Sequence, residues 1–488
     1  MNFFDFLFEN SSGLQKDLIL GPMEKMSYRD VYGESRLLAN YIRRKIGQQK
    51  NILLASTNSP FFIIAYLGIL KSGNVCIPLN PQVENEVLEF IIQKTNPEML
   101  LFSENVLRYH NPDLEPFSEI QLYEILKEEN ECLDFEPEFN GSQLAAIMFT
   151  SGSTALPKGV MLSHDNFIAN TASIIDSLSL REDDIMMVVL PFYYCYGLSL
   201  LNTHLRIGGS LVLNNNFVFF SQTIQHINNY QCTGFAGVPS HFQLLLRKTD
   251  LFRRIKMPSL RYVTQAGGRL YDSFISEFIN IFPQIKFFVM YGQTEATARL
   301  SVLPPERLSE KIGSIGKGIP RVELKVVNEE QSPVSPGEIG EIIVKGKNVM
   351  VGYWDDTVST SAAIKDGWLY TGDLATVDED GFIYITARKK EIIKIGGIRI
   401  SPREIEETIV KMEGIVDCTA EAMCDELLGE AIKVTVVVNE TGKSITSDDL
   451  KRFCGTKLAP YKIPAYFTFH KTMEISPSGK KIKRIYTE

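Results

Sequence analysis

No two cysteines in this 488-residue chain are spaced Cys-x-x-Cys. The seven cysteines (Cys76, Cys132, Cys195, Cys232, Cys418, Cys424 and Cys454) and the six histidines are scattered, which excludes zinc-finger spacing. The pattern predicts reduced thiols in a cytoplasmic protein. Excess positive charge is also missing. Fifty Lys and Arg face 59 Asp and Glu, for a formal net charge of −9, so a basic field for nucleic acid is excluded. Long apolar runs are absent too. The longest, residues 60–70, is far too short to span a membrane and predicts a buried helix. Residues 1–10 carry acidic side chains and no basic n-region, unlike a signal peptide. No internal repeat or low-complexity tract is visible. Nor is there a P-loop, which needs Gly, four residues, then Gly-Lys and Ser or Thr.

What is present is ordinary globular composition, 44% apolar and 22% charged, in a chain long enough for two or more domains. Short apolar runs alternate with longer amphipathic ones. Strands are predicted at 51–55, 75–78, 99–102, 144–149, 185–190, 211–213, 233–236, 261–265 and 287–290. Helices are predicted at 61–71, 84–94, 166–178, 222–229, 241–248 and 271–281. This alternation implies an α/β fold of parallel sheets covered by helices, with ligands beyond the carboxyl ends of the strands. After about residue 311 the texture becomes a β portion, with strands near 322–327, 341–344 and 382–385. A charged junction, Arg388-Lys389-Lys390-Glu391, then marks a boundary near Lys390. Beyond it lie a helix from near Pro402, a strand near 432–438 and a basic tail.

The chain is organised around Thr150-Ser151-Gly152-Ser153-Thr154-Ala155-Leu156-Pro157-Lys158-Gly159, which follows an apolar strand. Hydroxyls, backbone N–H groups and a mobile cation make a phosphate cradle in outline. Alone, the segment also reads as an ordinary Ser/Thr/Gly turn. Four more stretches stand out: Gln265-Ala266-Gly267-Gly268-Arg269, Tyr291-Gly292-Gln293-Thr294-Glu295, Tyr370-Thr371-Gly372-Asp373 and Ser476-Pro477-Ser478-Gly479-Lys480. Together they suit ATP. Glu295 can hold Mg²⁺, Thr294 can donate to a phosphate, and Tyr291 offers a flat face to a base. Asp373 can accept ribose hydroxyls, and Lys480 can meet charge developing on phosphorus.

This order of motifs, with Pro191 to Gly197, Gly340-Glu341 and the junction from Arg388 to Glu406, resembles the adenylate-forming superfamily of acyl-CoA synthetases, fatty acid–AMP ligases, carrier-protein adenylation domains and beetle luciferases. The resemblance covers essentially the whole chain. It implies a large N-terminal domain (1–389) of two helix-covered sheets plus a β portion, and a small mobile C-terminal α+β domain (390–488). It implies attack of a carboxylate, fatty or aryl, on the α-phosphate of ATP, and transfer of the acyl group to the thiol of CoA or a carrier protein's phosphopantetheine. By position, Thr150, Ser151, Gly152, Ser153, Thr154 and Lys158 would bind the β- and γ-phosphates. Gly268, Arg269, Tyr291, Gly292 and Gln293 would line the adenine slot, and Thr294 would contact the α-phosphate. Glu295 would bind Mg²⁺. Asp373 and Arg388 would hold the ribose beside Ile385, and Lys480 would bridge the carboxylate and ATP. Tyr194, Val238 and Gly267 would face the acid. Lys390 would be the hinge, and Lys394, Gly396 and Gly397 would serve the thiol step.

The sequence departs from the family pattern at Ala155 (usually Gly), Ala387 (often Asp), Arg269 (commonly Ala) and Tyr194 (frequently His). None of these removes a group the chemistry requires. Three alternatives remain beside the acyl ligase: an amino-acid adenylation enzyme, a non-catalytic nucleotide-binding protein of the same fold, and a luciferase-like oxygenase, whose chemistry lives mainly in its substrate. The Pro191 to Gly197 segment is neutral and would leave a buried ammonium unpaired, against the first. The presence of Lys480, Glu295, Asp373 and Arg388 argues against the second.

Overall fold

The computed structural model describes residues 1–21, 24–103, 116–128, 139–150, 157–217, 220–247, 252, 254–395, 398–425, 429–439, 442 and 444–470. Two large sheets dominate, one nine-stranded and one seven-stranded. In the first, strands Ile185–Val188, Ser210–Leu213, Gly234–Gly237, Tyr262–Gln265 and Lys286–Tyr291 run parallel. In the second, Asn51–Ala55, Val75–Leu79, Met99–Phe102 and Leu144–Thr150 do the same. The sheets are not wholly parallel, as the alternation alone implied. Ser301–Leu303 adds antiparallel to the edge of the first, and Lys158–Ser163 folds back antiparallel on Leu144–Thr150 in the second. A strand, and not a helix, therefore follows the phosphate motif. The helix His164–Leu178 begins only after the return strand, capped by the Ser163 hydroxyl.

The apolar run at 60–70 is a buried helix, Pro60–Lys71, whose residues Pro60 to Leu70 are all buried. It shares one core with residues from both large sheets. Helix Tyr28–Ile46 crosses it where Gly68 leaves room: a Cβ there would lie 2.8 Å from the Leu38 side chain. The first helix, Phe3–Phe8, is stitched to the same layer. The Asn2 amide donates to the Leu70 carbonyl at 2.8 Å, and the Phe3 N–H donates to His164 Nδ1 at 3.0 Å. A third, antiparallel sheet holds Val322–Val327, Gly340–Gly346, Trp368–Val377 and Ile383–Arg388.

The last sheet has its own core. Ile393, Ile405, Ile409, Val434, Val436, Leu450 and Cys454 pack together apart from the main cluster. The helix Pro402–Ile409 takes proline at its first turn, where no N–H is needed, and turns Ile405 and Ile409 onto that sheet. The contacts that join this unit to the rest are largely polar. Ser401 Oγ donates to the Thr386 carbonyl at 2.6 Å, Tyr271 OH donates to the Cys418 carbonyl at 3.4 Å, and Arg403 donates to the Ile385 carbonyl.

His164 gives the fold an acid-labile point. Burial drives its imidazole pKa down to about 3. The folded state therefore keeps the ring neutral, while the unfolded chain takes up a proton below about pH 6.5. Its contribution is complete above that value and falls by about 1.4 kcal/mol per pH unit as the solution is acidified toward 3. His164→Gln keeps an acceptor for the Phe3 N–H. Between about pH 7.5 and about pH 5 the variant should lose about 2 kcal/mol less stability than the parent, as read from urea unfolding. Identical losses in both proteins would refute this role.

Candidate active site

The parallel strands Gly234–Gly237, Tyr262–Gln265 and Lys286–Tyr291 point their carboxyl ends the same way, Gly237 beside Gln265 and Gln265 beside Val289, with the third running two residues further. The segments that follow meet at one edge. Gly267 turns at φ +84°, and the Gln265 side chain donates to the Gly268 carbonyl at 2.7 Å. A Cβ on Gly268 would lie 3.3 Å from Pro239, next to the buried Val238. Gly292 has no room for a side chain, since a Cβ would fall 1.8 Å from the Ala298 carbonyl oxygen. The chain reverses at Thr297, φ +68°, and the Leu300 N–H closes the loop on the Tyr291 carbonyl at 2.9 Å. Gln293, Thr294 and Glu295 are held in that loop, half-buried.

Beside it the third sheet delivers a carboxylate. Asp373 lies opposite Arg388 on neighbouring strands and is only 3% exposed. It accepts from Tyr291 OH at 2.6 Å and from Arg388 Nε at 3.0 Å. Burial, reinforced by Asp373, pushes the Tyr291 phenol well above its ordinary value, so it stays neutral and donates. Gly372, φ +75°, turns its N–H onto Glu341 at 3.1 Å, and Glu341 pairs with Lys389 at 2.9 Å. Ile385 sits two turns of the pleat away, opposite Ala375.

The hairpin supplies a cation. Thr150 lies opposite Lys158, and its hydroxyl donates to the Lys158 carbonyl at 3.4 Å. Ser151, Gly152, Ser153 and Thr154 lie outside the described residues. The Lys158 ammonium donates to Ser359 Oγ, lies 3.8 Å from Asp356, and sits 5.0 Å from the Tyr353 ring centroid. The Tyr353 hydroxyl donates to Glu295 Oε1 at 2.9 Å. Tyr353 thus links the hairpin lysine to the loop carboxylate. Sequence reasoning missed Tyr353, Asp356 and Ser359, because nothing local marks an aromatic or hydroxyl residue that acts only through its spatial neighbours.

The aromatic segment divides its roles. Phe192 is fully buried and packs on Phe62, with 5.6 Å between ring centroids. Tyr193 and Tyr194 pack together at 4.8 Å, and Tyr194 is the N-cap of helix Cys195–Ile207. Tyr196 OH meets Thr264 Oγ1 at 2.8 Å, and the Thr294 hydroxyl donates to Cys195 Sγ at 3.4 Å. Arg299, also missed, lies buried with its guanidinium 4.8 Å from the Tyr196 ring centroid.

Arg269 adjoins Gly268, but its guanidinium reaches Glu407 on the helix Pro402–Ile409 and lies 3.4 Å from Asp272. Its charge is therefore engaged by Glu407 and Asp272. Lys390 lies in the turn after Ile383–Arg388, and Lys394 lies in strand Ile393–Ile395. Gly396, Gly397 and Lys480 lie outside the described residues.

Among the described residues no group of three or more His, Cys, Asp or Glu could encase a metal ion. Glu295 stands as a single carboxylate, tied by one oxygen to Tyr353. That donor set fits Mg²⁺, which takes one or two protein carboxylates and fills its remaining positions with phosphate oxygens and water.

Comparison with known proteins agrees with this geometry. The model of the AMP-binding enzyme family matches residues 11–354, and that of the AMP-binding enzyme C-terminal domain matches residues 404–480. The long-chain-fatty-acid–CoA ligase of Salmonella typhimurium is 28% identical over 94% of this chain and 89% of its own. A feruloyl-CoA synthase of Amycolatopsis is 29% identical over 94% of this chain and 92% of its own. Among solved structures, the o-succinylbenzoate CoA synthetase of Bacillus subtilis, in complex with its acyl-adenylate intermediate, superposes with a TM-score of 0.87. It is 25% identical, over 98% of this chain and 96% of that one. The structure of ATP-bound MatB from Rhodopseudomonas palustris gives a TM-score of 0.89 at 24% identity, over 98% and 97% of the two chains. With one family model spanning more than half of its residues and the companion model following it, the chain belongs to the AMP-binding enzymes, the adenylate-forming superfamily.

Proposed function

We propose that this AMP-binding enzyme joins a carboxylic acid, fatty or aryl, to the thiol of CoA or of a carrier protein. An oxygen of the acid attacks the α-phosphorus of ATP and pyrophosphate leaves. The thiol then attacks the acyl carbon and AMP leaves. The observation that carries this reading is a continuous polar run along one strand-end edge: Lys158, Tyr353, Glu295 and Thr294, then Tyr291, Asp373 and Arg388. Lys158 and the hairpin tip would hold the terminal phosphates, Thr294 the α-phosphate, and Asp373 with Arg388 the ribose. Asp373 offers lone pairs beyond the two it already shares. A Mg²⁺ ion bound at Glu295 would supply positive charge to the phosphate oxygens.

The division at 389/390, with Lys390 as hinge, belongs to the same reading. The separate core of the C-terminal unit and its polar attachment support it. Such interfaces favour relative motion. The neutral aromatic segment and the buried cation Arg299 disfavour a substrate ammonium. We place the reaction in the cytoplasm. The cysteines among the described residues carry thiols, and no described helix is long and apolar enough to cross a membrane.

Incubation with ATP, Mg²⁺, CoA and a panel of acids should give AMP and pyrophosphate in equal amounts with acyl-CoA. ADP with an acyl-phosphate would overturn the reading. Separate assays of the half-reactions test the hinge. Lys480→Ala should slow adenylation by about two to three decades, roughly 2–4 kcal/mol, while sparing thioester formation from supplied acyl-adenylate. Lys390→Pro fixes the hinge φ and should do the reverse. Equal loss of both half-reactions in both variants, with native circular dichroism, would refute alternation. Tyr353→Phe removes the donor to Glu295. A hydrogen bond to a charged group is worth about 1.5 kcal/mol at the low end, so the Mg²⁺ concentration for half-maximal rate should shift about tenfold. An unchanged Mg²⁺ dependence would deny the bridge.

A further inference from the structure

Arg299 is the unexplained charge in this site. It is 3% exposed, and its Nε and Nη1 have no hydrogen-bond partner among the described residues. No carboxylate among them pairs with it. The ionisable groups that face it are Tyr196 and Cys195, both weak acids. Burial works against its charge and draws its pKa below the ordinary arginine value. A guanidinium nevertheless stays protonated in proteins, so the charge must be borne. The half-buried Arg403 guanidinium, by contrast, is answered by Glu407 and a backbone carbonyl. An unanswered buried charge is costly.

The residue is also held firmly. Its N–H donates to Asn170 Oδ1 at 3.2 Å, and the Asn170 amide donates back to its carbonyl at 2.8 Å. The Asn348 amide adds a contact to that carbonyl at 3.4 Å. The guanidinium lies against Tyr196, which Thr264 fixes in turn. A side chain positioned this way is pre-organised for a ligand.

A second positive element converges on the same place. Helix Cys195–Ile207 has 13 residues, no side-chain cap at Tyr194, and no acidic residue in its first turn. Its amino end carries the positive pole of the helix, and no side chain of Tyr194 caps it. Arg299 packs on the second residue of that helix, and Cys195, the first, touches the Thr294 hydroxyl at 3.4 Å. One side chain thus separates the cationic corner from the proposed α-phosphate contact.

We propose that Arg299 and the amino end of helix Cys195–Ile207 form an anion subsite in the acid pocket, which receives a second carboxylate on the acyl group. The substrate is then a short or aromatic dicarboxylic acid activated at its other carboxylate. This rests on the ligase reading above and narrows its substrate class. An alkyl chain would leave the guanidinium unanswered, and an ammonium would be repelled. A carboxylate would neutralise the guanidinium and meet the helix dipole together.

The test compares matched acids, hexanoate with adipate and phenylacetate with homophthalate, by pyrophosphate release. The parent should favour the diacid in at least one pair by ten- to hundredfold in kcat/KM. Arg299→Leu should reverse that ratio through the KM for the acid, leaving the KM for ATP unchanged. Arg299→Lys should retain part of the preference, and with the parent ratio it decides the matter if the leucine variant does not fold. Monoacids preferred in every pair, with a ratio insensitive to Arg299, would overturn the subsite and leave the ligase reading intact. A raised KM for ATP with an unchanged acid ratio would assign the guanidinium to a nucleotide phosphate and overturn it equally. ADP in place of AMP would overturn the ligase reading and this inference with it.

Discussion

The close approach of Gly292 to the Ala298 carbonyl is the contact on which the site depends. With 1.8 Å between that oxygen and any Cβ, only glycine lets the chain fold back on itself there. The reversal turns a single strand end into a platform. Tyr291 faces Asp373, Thr294 faces Cys195, Glu295 faces Tyr353, and Arg299 faces Tyr196. Four functional directions radiate from nine residues because the backbone between them is nearly doubled over. A side chain at position 292 would spread the platform, and no compensating shift is at hand, because the obstructing atom is backbone.

Charge is arranged around this platform by two different rules. On the ribose side, as proposed, Asp373 is fully answered by a phenol and a guanidinium, which fixes its orientation but leaves oxygen lone pairs for hydroxyl donors. On the proposed acid side no carboxylate among the described residues answers Arg299, whose guanidinium rests on Tyr196 with Nε and Nη1 unbonded. A paired buried charge gives geometry, whereas an unpaired one stores free energy that an arriving counter-charge releases. The Lys158–Tyr353–Glu295 link lies between the two. It joins a cation and a carboxylate through an aromatic ring without a direct ion pair between them, so the lysine stays available to anionic oxygens and the carboxylate to a cation.

The attachment of the C-terminal unit follows from its chemistry. Most of its buried apolar residues pack on its own sheet and two helices, with Val410 also touching the main core, and hydrogen bonds with the Arg269–Glu407 and Arg403–Ile385 contacts hold it against the larger part. Polar contacts can be exchanged with water at little net cost. Such contacts suit the alternation proposed above. Arg269 acts here as an inter-unit contact.

From the sequence alone came most of the elements, because the periods that define them are local: strands Asn51–Ala55 and Met99–Phe102 were legible to the residue, as was the buried helix at 60–71 within one position. The order of motifs identified the family, because each motif needs a particular local backbone and donor set. The antiparallel hairpin of Lys158–Ser163 was not legible, since a strand's direction depends on the partner it finds. Nor were Tyr353 and Arg299. Tyrosine and arginine carry no local signal of burial, and their roles exist only through residues 58 and 103 positions away in the chain, Glu295 and Tyr196. Tertiary structure alone decided which charges would be paired and which left waiting, because pairing is set by distance in space, and a sequence records only distance along the chain.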